Sequence, residues 1–362
     1  MFFDLPLPDS VTNALTKFNQ LTQGNSIQEL EDFTPEKLKE IIQQAELANL
    51  IIPTELAGQG CNLDELLMIL HRIAQTSPSI SIMLCMHYHV VCTLSAFPDV
   101  IPAATELLTA IAKNNHLIAS AFSEGVPGMN IFDSSVMGTT SAHGIDLTGS
   151  KRPCSMTSIA DYYAVSMVVD QQYAGIAIVH NGMTGISHKA FWPSDILKAT
   201  DSNQVVFDHV VVEQRYTKLA SPEELEGVLS YGLASFNLMI NAAYSGASVA
   251  LANKLPAVAL KNTAIVVELQ GKLMTPFYSG MGLATALSNL ENIELTLNNI
   301  LMVRFQNQKT LKEIAALVNE NIGALGYLAD PEVILLGALA NLMAFHPMSR
   351  FQFEQLLAQK YL

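Results

Sequence analysis

The stretch LIASAFSEGVPGMNIFDSSVMGTTSAHGIDLTGSKRPCSMTSIADYYAVSMVV, residues 117–169, decides the fold of this chain. Apolar residues on either side of it recur at the spacing of a helix, whereas within it the spacing changes towards the alternation of a strand. Further strand-like runs follow at residues 174–179 and 205–212, with turn residues such as those of 180–182 between them. The sequence therefore predicts a β unit in the middle of the chain.

Two polar segments interrupt the strand-like runs. The first polar segment is residues 122–128 (FSEGVPG), and the second polar segment is residues 149–155 (GSKRPCS). Each places hydroxyl groups and glycines at the end of an apolar run, which suits a planar ligand that forms hydrogen bonds. Short turns that merely join strands have the same composition, and spacing alone favours such turns.

Composition limits the class of protein. Charged residues make up 14% of the 362 residues and hydrophobic residues 50%. A monomer with so few charges would expose much apolar surface, which favours a homodimer or homotetramer. The net charge of −14, from 19 basic and 33 acidic residues, does not provide the basic surface that a phosphate backbone requires. Nucleic acid is therefore not an expected partner.

The cysteines and the chain ends indicate a cytoplasmic protein. Cys61, Cys85, Cys92 and Cys154 include no CxxC pair, so reduced, buried thiols are expected and no metal site is predicted. The N-terminal decapeptide MFFDLPLPDS has no basic region and does not resemble a secretory signal. The longest apolar run, residues 333–345, is shorter than the roughly 20 residues of a membrane span and is expected to be a buried helix.

Helical periodicity dominates both ends of the chain. Thr34 and Pro35 provide a cap and a first-turn signal for a helix that ends near Leu50, and Asn62 with Glu65 opens another. Helices are also expected over residues 79–97, 102–114, 233–255, 265–301, 309–321 and 332–343. The predicted fold is mainly α with a central β-barrel domain, in which an N-terminal α-helical domain (1–116), a middle β-barrel domain (117–222) and a C-terminal α-helical bundle (223–362) follow one another.

Two histidines, His87 and His89, lie in the predicted helix of residues 79–97. Residues two apart point to different faces of a helix, so the pair cannot jointly hold a metal ion. One of them could face a cleft and contact a substrate. The alternative, which the sequence favours, is a histidine whose ring is satisfied within the packed helix.

Five short motifs occur in the order found in the acyl-CoA dehydrogenase superfamily of flavoproteins, which the chain resembles over nearly its whole length. The first polar segment resembles L-T-E-P-G-A-G-S-D, and the second, with Ala160 and Asp161 after it, resembles G-x-K-x-W-I-T followed by A-D. The other three are PTELAGQG (53–60), similar to P-x-E-x-G-G-x-G, VFDHVVV (206–212), similar to F-x-x-V-x-V-P, and GALGY (323–327), similar to G-G-x-G-Y. Their common order carries the resemblance.

The resemblance implies FAD as the cofactor, held between the β-barrel and the C-terminal bundle, with an acyl thioester against the flavin. Carried over position by position, Phe122 and Ser123 lie beside the flavin ring, with the Ser123 hydroxyl at its pyrimidine edge. Ser155 replaces the family's threonine near flavin N5, and Cys154 precedes it. Both serines keep a hydroxyl donor that can meet the flavin.

Three departures from the family pattern count against tightly bound FAD. Pro153 stands where the family has a tryptophan that stacks on the flavin, and Met129 and Asn130 stand at the S-D pair of the first motif. The arginine of R-x-x-F, which reaches a partner subunit's FAD, should follow the long helix, where the chain reads KLPAV from Lys254. A pyrophosphate would lose the paired donors of a guanidinium there. FAD remains the expected cofactor, and weak binding or its absence is the alternative that these departures leave open.

Neither position of the dehydrogenases' catalytic carboxylate carries an acid. In the family, a glutamate takes the α-proton of the thioester while the β-hydrogen leaves as hydride. Counted from Pro331 that position falls on His346, and the alternative carboxylate of some members falls on Phe236 if the helix glycine is Gly246. His346 is the predicted catalytic residue, because an imidazole takes a proton near neutral pH. A helix-end histidine that caps carbonyl groups is the alternative.

Three functions follow from this reading of the residues. The main expectation is FAD-dependent α,β-oxidation of an acyl thioester, bound to coenzyme A or to an acyl-carrier protein. The first alternative is a flavin-dependent monooxygenase or N-hydroxylase of the same fold, because oxygen-activating relatives often carry histidine at this site. The second alternative is a catalytically inactive, dehydrogenase-like binding subunit.

Overall fold

The computed structural model describes residues 2–3, 7–126, 134–290 and 292–361, except for the side chains of residues 222, 223 and 359–361. Part of the first polar segment, Pro127 and Gly128, lies outside the described residues, as do Met129 and Asn130. The chain divides into two compact units. Unit 1 consists of Met1–Asp32, Leu63–Ile82 and Leu233–Leu362, and unit 2 of Phe33–Asn62 and Met83–Gly232. The division into three consecutive domains remains a prediction.

Unit 2 is built on one sheet of eight strands in the middle of the chain, as predicted. The strands are β1 (Ile118–Ala121), β2 (Met137–Ser141), β3 (Gly144–Cys154), β4 (Tyr162–Val169), β5 (Tyr173–His180), β6 (Ile186–Lys189), β7 (Asn203–Val212) and β8 (Thr217–Ala220). Their order in the sheet is β6-β7-β3-β2-β4-β5-β8, and β1 pairs with β4 in parallel. Five successive residues of β4 are buried, as its nearly continuous apolar sequence predicts for a strand covered on both faces.

The second polar segment corrects one sequence interpretation, because it is strand rather than turn. Residues 149–154 form the end of β3 and pair with β7, with Ser150 opposite Val206 and Lys151 opposite Val205. Gly149 has a φ of +146° at a shift in the register, and a Cβ there would lie 2.8 Å from Cα of Val136. Glycine and proline within the segment therefore mark a β-bulge, which sequence composition does not distinguish from a turn.

The helices agree with the predicted order but not at every boundary. They are α1 (Asp9–Thr22), α2 (Ile27–Glu31), α3 (Pro35–Gln44), α4 (Leu63–Ile73), α5 (Pro78–Ala96), α6 (Ala104–Asn114), α7 (Pro222–Ala252), α8 (Thr263–Ser288), α9 (Ile293–Ala329, interrupted at Gly323), α10 (Pro331–Leu342) and α11 (Arg350–Tyr361). The continuous helix expected over residues 265–301 is wrong. It breaks between α8 and α9, where the Asn292 side chain accepts a hydrogen bond from Leu295 N–H and caps α9.

The small residues of α7 allow the close helix packing that the sequence predicts. A Cβ on Gly246 would lie 2.1 Å from the carbonyl oxygen of His71, which belongs to α4 of the same unit. Only glycine fits at such a distance, because any side chain would overlap the neighbouring backbone.

Two helical stretches of the described chain are long and apolar enough to cross a membrane by length and composition alone. In Pro78–Ala96, 72% of the most apolar window is buried inside the protein, as in a core helix. In the other stretch, Pro331–Ala358, 44% of the most apolar window is buried, and the stretch is divided between α10 and α11.

Candidate active site

The structure brings the two polar segments of unit 2 together. The backbone N–H of Arg152 donates to the carbonyl oxygen of Ser123 over 2.9 Å. Gly125 has a φ of +61°, and a Cβ there would lie 2.7 Å from Cγ of Arg152, so the segments approach each other as closely as backbone permits. Ser123 and Arg152, which are 29 positions apart in the sequence, are thus in contact.

A buried ion pair joins the same two segments. The ammonium group of Lys151, which is fully buried, donates to Glu124 and to the hydroxyls of Ser134 and Ser166, over 2.9 and 2.8 Å. Glu124 also accepts from the hydroxyl of Ser135. Burial lowers the pKa of Lys151, and the hydrogen bond and charge of Glu124 oppose that shift. Sequence reasoning missed this pair, because no helical or strand period connects residues 27 positions apart.

Two of the predicted site residues, Phe122 and His89, lie beside each other. Their ring centroids are 6.3 Å apart in an edge-to-face arrangement, and both residues are half-buried. Burial, followed by the proximity of His87, lowers the pKa of His89 to about 3, so its imidazole is neutral. An apolar, uncharged surface of this kind suits a flat aromatic ligand, and the roles of both residues remain predictions.

Both ring nitrogens of His87 form hydrogen bonds within the protein, which is the alternative that the sequence favoured. Its Nδ1 accepts a hydrogen bond from the backbone N–H of Ile118 over 3.1 Å, so its Nε2 carries the proton and donates to the carbonyl oxygen of Ala48 over 2.8 Å. The residue is fully buried, and burial lowers its pKa to about 4. Neither ring nitrogen is left for a substrate, so we no longer assign His87 to substrate binding.

The buried His87 leads to a prediction about acid stability. Its pKa is lower in the folded protein than in the unfolded chain, so the unfolded chain binds the extra proton and stability falls as the pH drops below about 6.5. Between about pH 7.5 and about pH 5, this group alone is expected to remove about 2 kcal/mol from the free energy of unfolding.

The measurement is denaturant unfolding of wild type and of His87→Gln at both pH values. The variant keeps an amide donor and acceptor at the site but has no titrating ring. It is expected to lose about 2 kcal/mol less than wild type over this pH interval. An equal loss in the two proteins would contradict the assignment of a neutral His87.

Ser155 and Cys154 lie at the end of β3, inside the protein. The Ser155 hydroxyl forms a hydrogen bond of 2.8 Å with that of Ser202. The thiol of Cys154 is fully buried, contacts the carbonyl oxygen of Ser155 at 3.8 Å, and has its pKa raised to about 12, chiefly by burial. Cys154 is therefore a neutral thiol, and it can face a cofactor only through its backbone.

In unit 1, the predicted catalytic residue His346 lies in a cluster of aromatic rings. Its Nε2 forms a hydrogen bond of 2.8 Å with the hydroxyl of Tyr244, and its ring is 5.7 Å from that of Phe236, centroid to centroid. The two positions that the resemblance assigns to the catalytic carboxylate are thus in contact. Burial, followed by the charge of Arg304, lowers the pKa of His346 to about 3, although the residue keeps some solvent exposure.

The buried Arg304 fixes the backbone that carries His346. Its Nη1 donates to Oδ1 of Asn237 over 2.6 Å and to the carbonyl oxygen of Pro347 over 3.0 Å, and its Nη2 donates to the carbonyl oxygen of His346 over 3.1 Å. Burial, together with the charge of Arg350, lowers the pKa of Arg304 to about 10. Sequence reasoning missed Arg304 and Tyr244. The available signal was an arginine at the helical spacing of Leu297, Ile300 and Leu301, which are buried residues of α9.

The surroundings of Lys254 decide whether it can bind the pyrophosphate of FAD. It stands at the family's FAD-binding arginine, but its ammonium group donates to Asp330 over 3.0 Å and to Glu332, all within unit 1. Two carboxylates neutralise its charge, so it does not offer a cation to a pyrophosphate. The hydroxyls of Ser123 and Ser155 fit the edge of a flavin ring, whereas Lys254 does not fit the pyrophosphate of FAD.

Comparison with known proteins supports the family resemblance. No protein-family model matches the chain. Isobutylamine N-hydroxylase from Streptomyces viridifaciens is 28% identical over 325 residues, which cover 84% of this chain and 83% of that protein. FMN-bound TdsC, a dibenzothiophene monooxygenase from Paenibacillus sp. A11-2, superposes with a TM-score of 0.84 at 16% identity, over 98% of this chain and 97% of TdsC.

The chain has the acyl-CoA dehydrogenase fold. A nitrososynthase from Micromonospora carbonacea var. africana also shares it, with a TM-score of 0.79 and 18% identity over 99% of this chain and 98% of that one. The predicted resemblance in fold is therefore confirmed, and the chain carries histidine and phenylalanine, not glutamate, at positions 346 and 236. Structures of this fold bind flavin, but FAD itself is not confirmed for this chain.

Proposed function

We propose that the protein is a flavin-dependent N-hydroxylase that acts on a small primary amine. One observation carries the proposal: His346 and Phe236, at the two positions assigned to the dehydrogenase carboxylate, form an uncharged aromatic contact with no acid. Removal of the α-proton of a thioester requires a base of suitable pKa, which such a contact does not supply. Transfer of oxygen to a nitrogen lone pair requires no such base. The N-hydroxylase alternative therefore replaces the acyl-thioester dehydrogenase that the sequence favoured.

The relatives support the same choice. The similarity to isobutylamine N-hydroxylase extends over 84% of this chain, and the proteins of the same fold include a monooxygenase and a nitrososynthase. A fold alone does not determine a reaction, so the argument depends on the site residues.

The proposed reaction balances with dioxygen as the oxidant and reduced flavin as the reductant. One oxygen atom is added to the amine nitrogen to give a hydroxylamine, and the other leaves as water. Reduced flavin, when bound, would supply the two electrons and two protons that this conversion requires, and would itself become oxidised. A separate flavin reductase is the class of partner that regenerates it.

His346 is assigned to the substrate nitrogen. An amine accepts oxygen only as the free base, because its ammonium form has no lone pair. The burial and the charge of Arg304 that keep His346 neutral also disfavour a cation beside it. The neutral imidazole, held by the Tyr244 hydroxyl at 2.8 Å, can still exchange hydrogen bonds with a neutral amine. These residues are therefore proposed to select the reactive protonation state of the substrate.

The residues of unit 2 are assigned to the flavin. Phe122 is proposed to contact the ring, with Ser123 and Ser155 hydrogen-bonded to its edge and Cys154 contributing only backbone. FMN is proposed rather than the predicted FAD, since Lys254 is neutralised by two carboxylates and FMN has no pyrophosphate to bind. His89, beside Phe122, remains a proposed substrate contact in place of His87.

The remaining predictions concern the assembly and its location. The helical part of unit 1 exposes large apolar residues to solvent. Between 67 and 86% of the surface of each of four of them is accessible: Leu325, Leu328, Phe345 and Phe351. Their burial against other copies of the chain would gain hydrophobic free energy, which supports a homodimer or homotetramer. A cytoplasmic location is retained as part of the proposal, and an acyl thioester or carrier protein is not.

The proposed function is tested by an aerobic assay that contains the protein, FMN, a flavin reductase with NADH, and isobutylamine as the probe. Formation of the hydroxylamine is expected, whereas isobutanol, which has the same carbon skeleton without nitrogen, is expected to give no product. His346→Ala is expected to lower turnover about 100-fold, the usual cost of a misplaced reactant, because it removes the neutral imidazole that is proposed to hold the free amine.

A second arm separates the alternatives. The protein is reconstituted with FAD and mixed with butyryl-CoA in the absence of oxygen. Bleaching of the flavin there, without amine hydroxylation in the first arm, would support the dehydrogenase instead. Failure to bind either flavin would support the inactive binding subunit.

A further inference from the structure

Three hydroxyl groups form a buried chain behind the second polar segment. The Ser155 hydroxyl lies 2.8 Å from that of Ser202, which in turn lies 2.8 Å from that of Thr200. The Thr200 hydroxyl reaches the carbonyl oxygen of Leu197 at 2.7 Å. All three hydroxyl residues are at least nine-tenths buried.

The carbonyl oxygen of Leu197, at the end of this series of hydroxyls, fixes the direction of every hydrogen bond in the series. A hydroxyl has one proton, and a carbonyl oxygen can only accept. Thr200 therefore donates its proton to Leu197, so the bond between Ser202 and Thr200 must be donated by Ser202. Ser202 then has no proton left, and the bond between Ser155 and Ser202 must be donated by Ser155. Ser155 consequently presents only lone pairs to any ligand, and not the donor that the sequence predicted.

Backbone hydrogen bonds hold the segment of Ser155 beside the segment of Thr200 and Ser202. Met156 N–H donates to the carbonyl oxygen of Thr200 over 2.9 Å, and Thr157 N–H donates to that of Asp201 over 3.1 Å. These bonds tie the residues after β3 to the segment before β7. The hydroxyls therefore keep their spacing, and the Ser155 proton stays directed inward.

We propose that Ser155, with its proton held by Ser202 and Thr200, makes the site selective for reduced flavin over oxidised flavin. The inference rests on the proposed function, which assigns Ser155 to the N5 edge of the flavin. Reduced flavin carries a proton on N5 and donates it to a lone pair, whereas oxidised flavin presents a lone pair at N5. The Ser155 oxygen and N5 of oxidised flavin are both acceptors, so neither finds a donor in the other. This unpaired contact disfavours the oxidised form. Ser202 and Thr200 are positioning residues that act through Ser155.

The selectivity has a function in the proposed cycle. With this preference, the site would retain flavin delivered in its reduced form and would hold the oxidised form less tightly. A preference of about tenfold is the size expected from one neutral hydrogen bond gained or lost, and it corresponds to a rise of about 30 mV in the two-electron potential of the bound flavin.

The test measures the dissociation constants of oxidised FMN and of dithionite-reduced FMN without oxygen, for wild type and two variants. Ser202→Ala removes the acceptor of the Ser155 proton, and Thr200→Val removes the acceptor of the Ser202 proton, which can then turn towards Ser155. Either change lets Ser155 direct its proton to oxidised N5. Both are expected to reduce the preference for reduced FMN about tenfold. The ratio of the two constants is the readout, because general damage to the site weakens both forms alike.

Thr157→Val is the matched control. The Thr157 hydroxyl is buried in the same segment and donates to the carbonyl oxygen of Cys154, but it is not part of the chain that ends at Ser155. Its loss is expected to leave the ratio unchanged even if both affinities fall. An unchanged ratio in Ser202→Ala and Thr200→Val, with FMN still bound, would overturn this inference and leave the proposed function standing. Failure of wild type to bind FMN in either state would overturn both.

Discussion

Lys151→Met is expected to lower the free energy of unfolding by about 3 to 5 kcal/mol, the usual effect of removing one partner of a buried ion pair. The lysine is fully buried, and its ammonium group holds Glu124 together with the hydroxyls of Ser134 and Ser166. Methionine fills a similar volume but leaves the charge of Glu124 buried, and among the described residues only the Ser135 hydroxyl still donates to it. The loss is measured by denaturant unfolding at neutral pH.

Two comparisons isolate the charge from the packing. Lys39→Met removes a partly exposed ion pair with Asp161, whose atoms are 2.8 Å apart, and is expected to cost about 1 kcal/mol or less. The double variant Glu124→Gln with Lys151→Met removes both charges and is expected to recover at least half of the loss. If Lys151→Met costs no more than Lys39→Met, the pair does not hold the two polar segments together.

Arg304→Met is expected to lower N-hydroxylation turnover about 100-fold, as expected for a misplacement of catalytic groups by about 1 Å. Arg304 donates to the carbonyl oxygens of His346 and Pro347, so its loss frees the backbone that positions the imidazole. The buried amide oxygen of Asn237 also loses its donor. A fall of about 3 kcal/mol in the free energy of unfolding should accompany the loss of turnover, since buried acceptors are left unpaired.

Arg350→Met provides the matched control for this prediction. Arg350 lies over the same Phe305 ring as Arg304, with its guanidinium carbon 4.8 Å from the ring centroid, but it is exposed and its Nη2 donates to the carbonyl oxygen of Phe305. Its replacement is expected to leave turnover within about threefold of wild type. Equal turnover of the two variants would show that Arg304 has no role in positioning His346.

The parts of the fold that were predicted from the sequence depend on local signals. Thr34 caps α3 by accepting from Lys37 N–H over 3.3 Å, and Pro35 occupies the first turn, as expected. The strand-like runs of residues 162–169 and 205–212 lie within β4 and β7. Each of these signals acts over a few residues, so it is visible before the chain folds.

The features that were missed depend on residues far apart in the sequence. Lys151 and Glu124 are 27 positions apart, and Ser155 and Ser202 are 47 apart. Neither spacing has a period that a helix or strand would reveal. A hydroxyl at Ser155 is visible in the sequence, but the direction of its hydrogen bond depends on Ser202, Thr200 and the carbonyl oxygen of Leu197. Such direction is a property of the folded network, not of one residue.

The bulge at Gly149 shows the same limit in the backbone. Its glycine, with the proline at position 153, has the composition of a turn, and only pairing with β7 makes the segment a strand. The helix break before α9 is similar, because Asn292 has no distinguishing feature in the sequence and its side chain caps α9 only in the folded chain. Composition therefore located the important segments and did not determine their conformation.

The central claim is that this protein transfers one oxygen atom of dioxygen to the nitrogen of an amine. Its most direct test is the aerobic reaction of isobutylamine with reduced FMN under dioxygen labelled with the heavy isotope, followed by mass analysis of the product. A hydroxylamine that carries one heavy oxygen atom is the expected result, with none incorporated from labelled water. An unlabelled product, or oxidation of butyryl-CoA in place of the amine, would contradict the account.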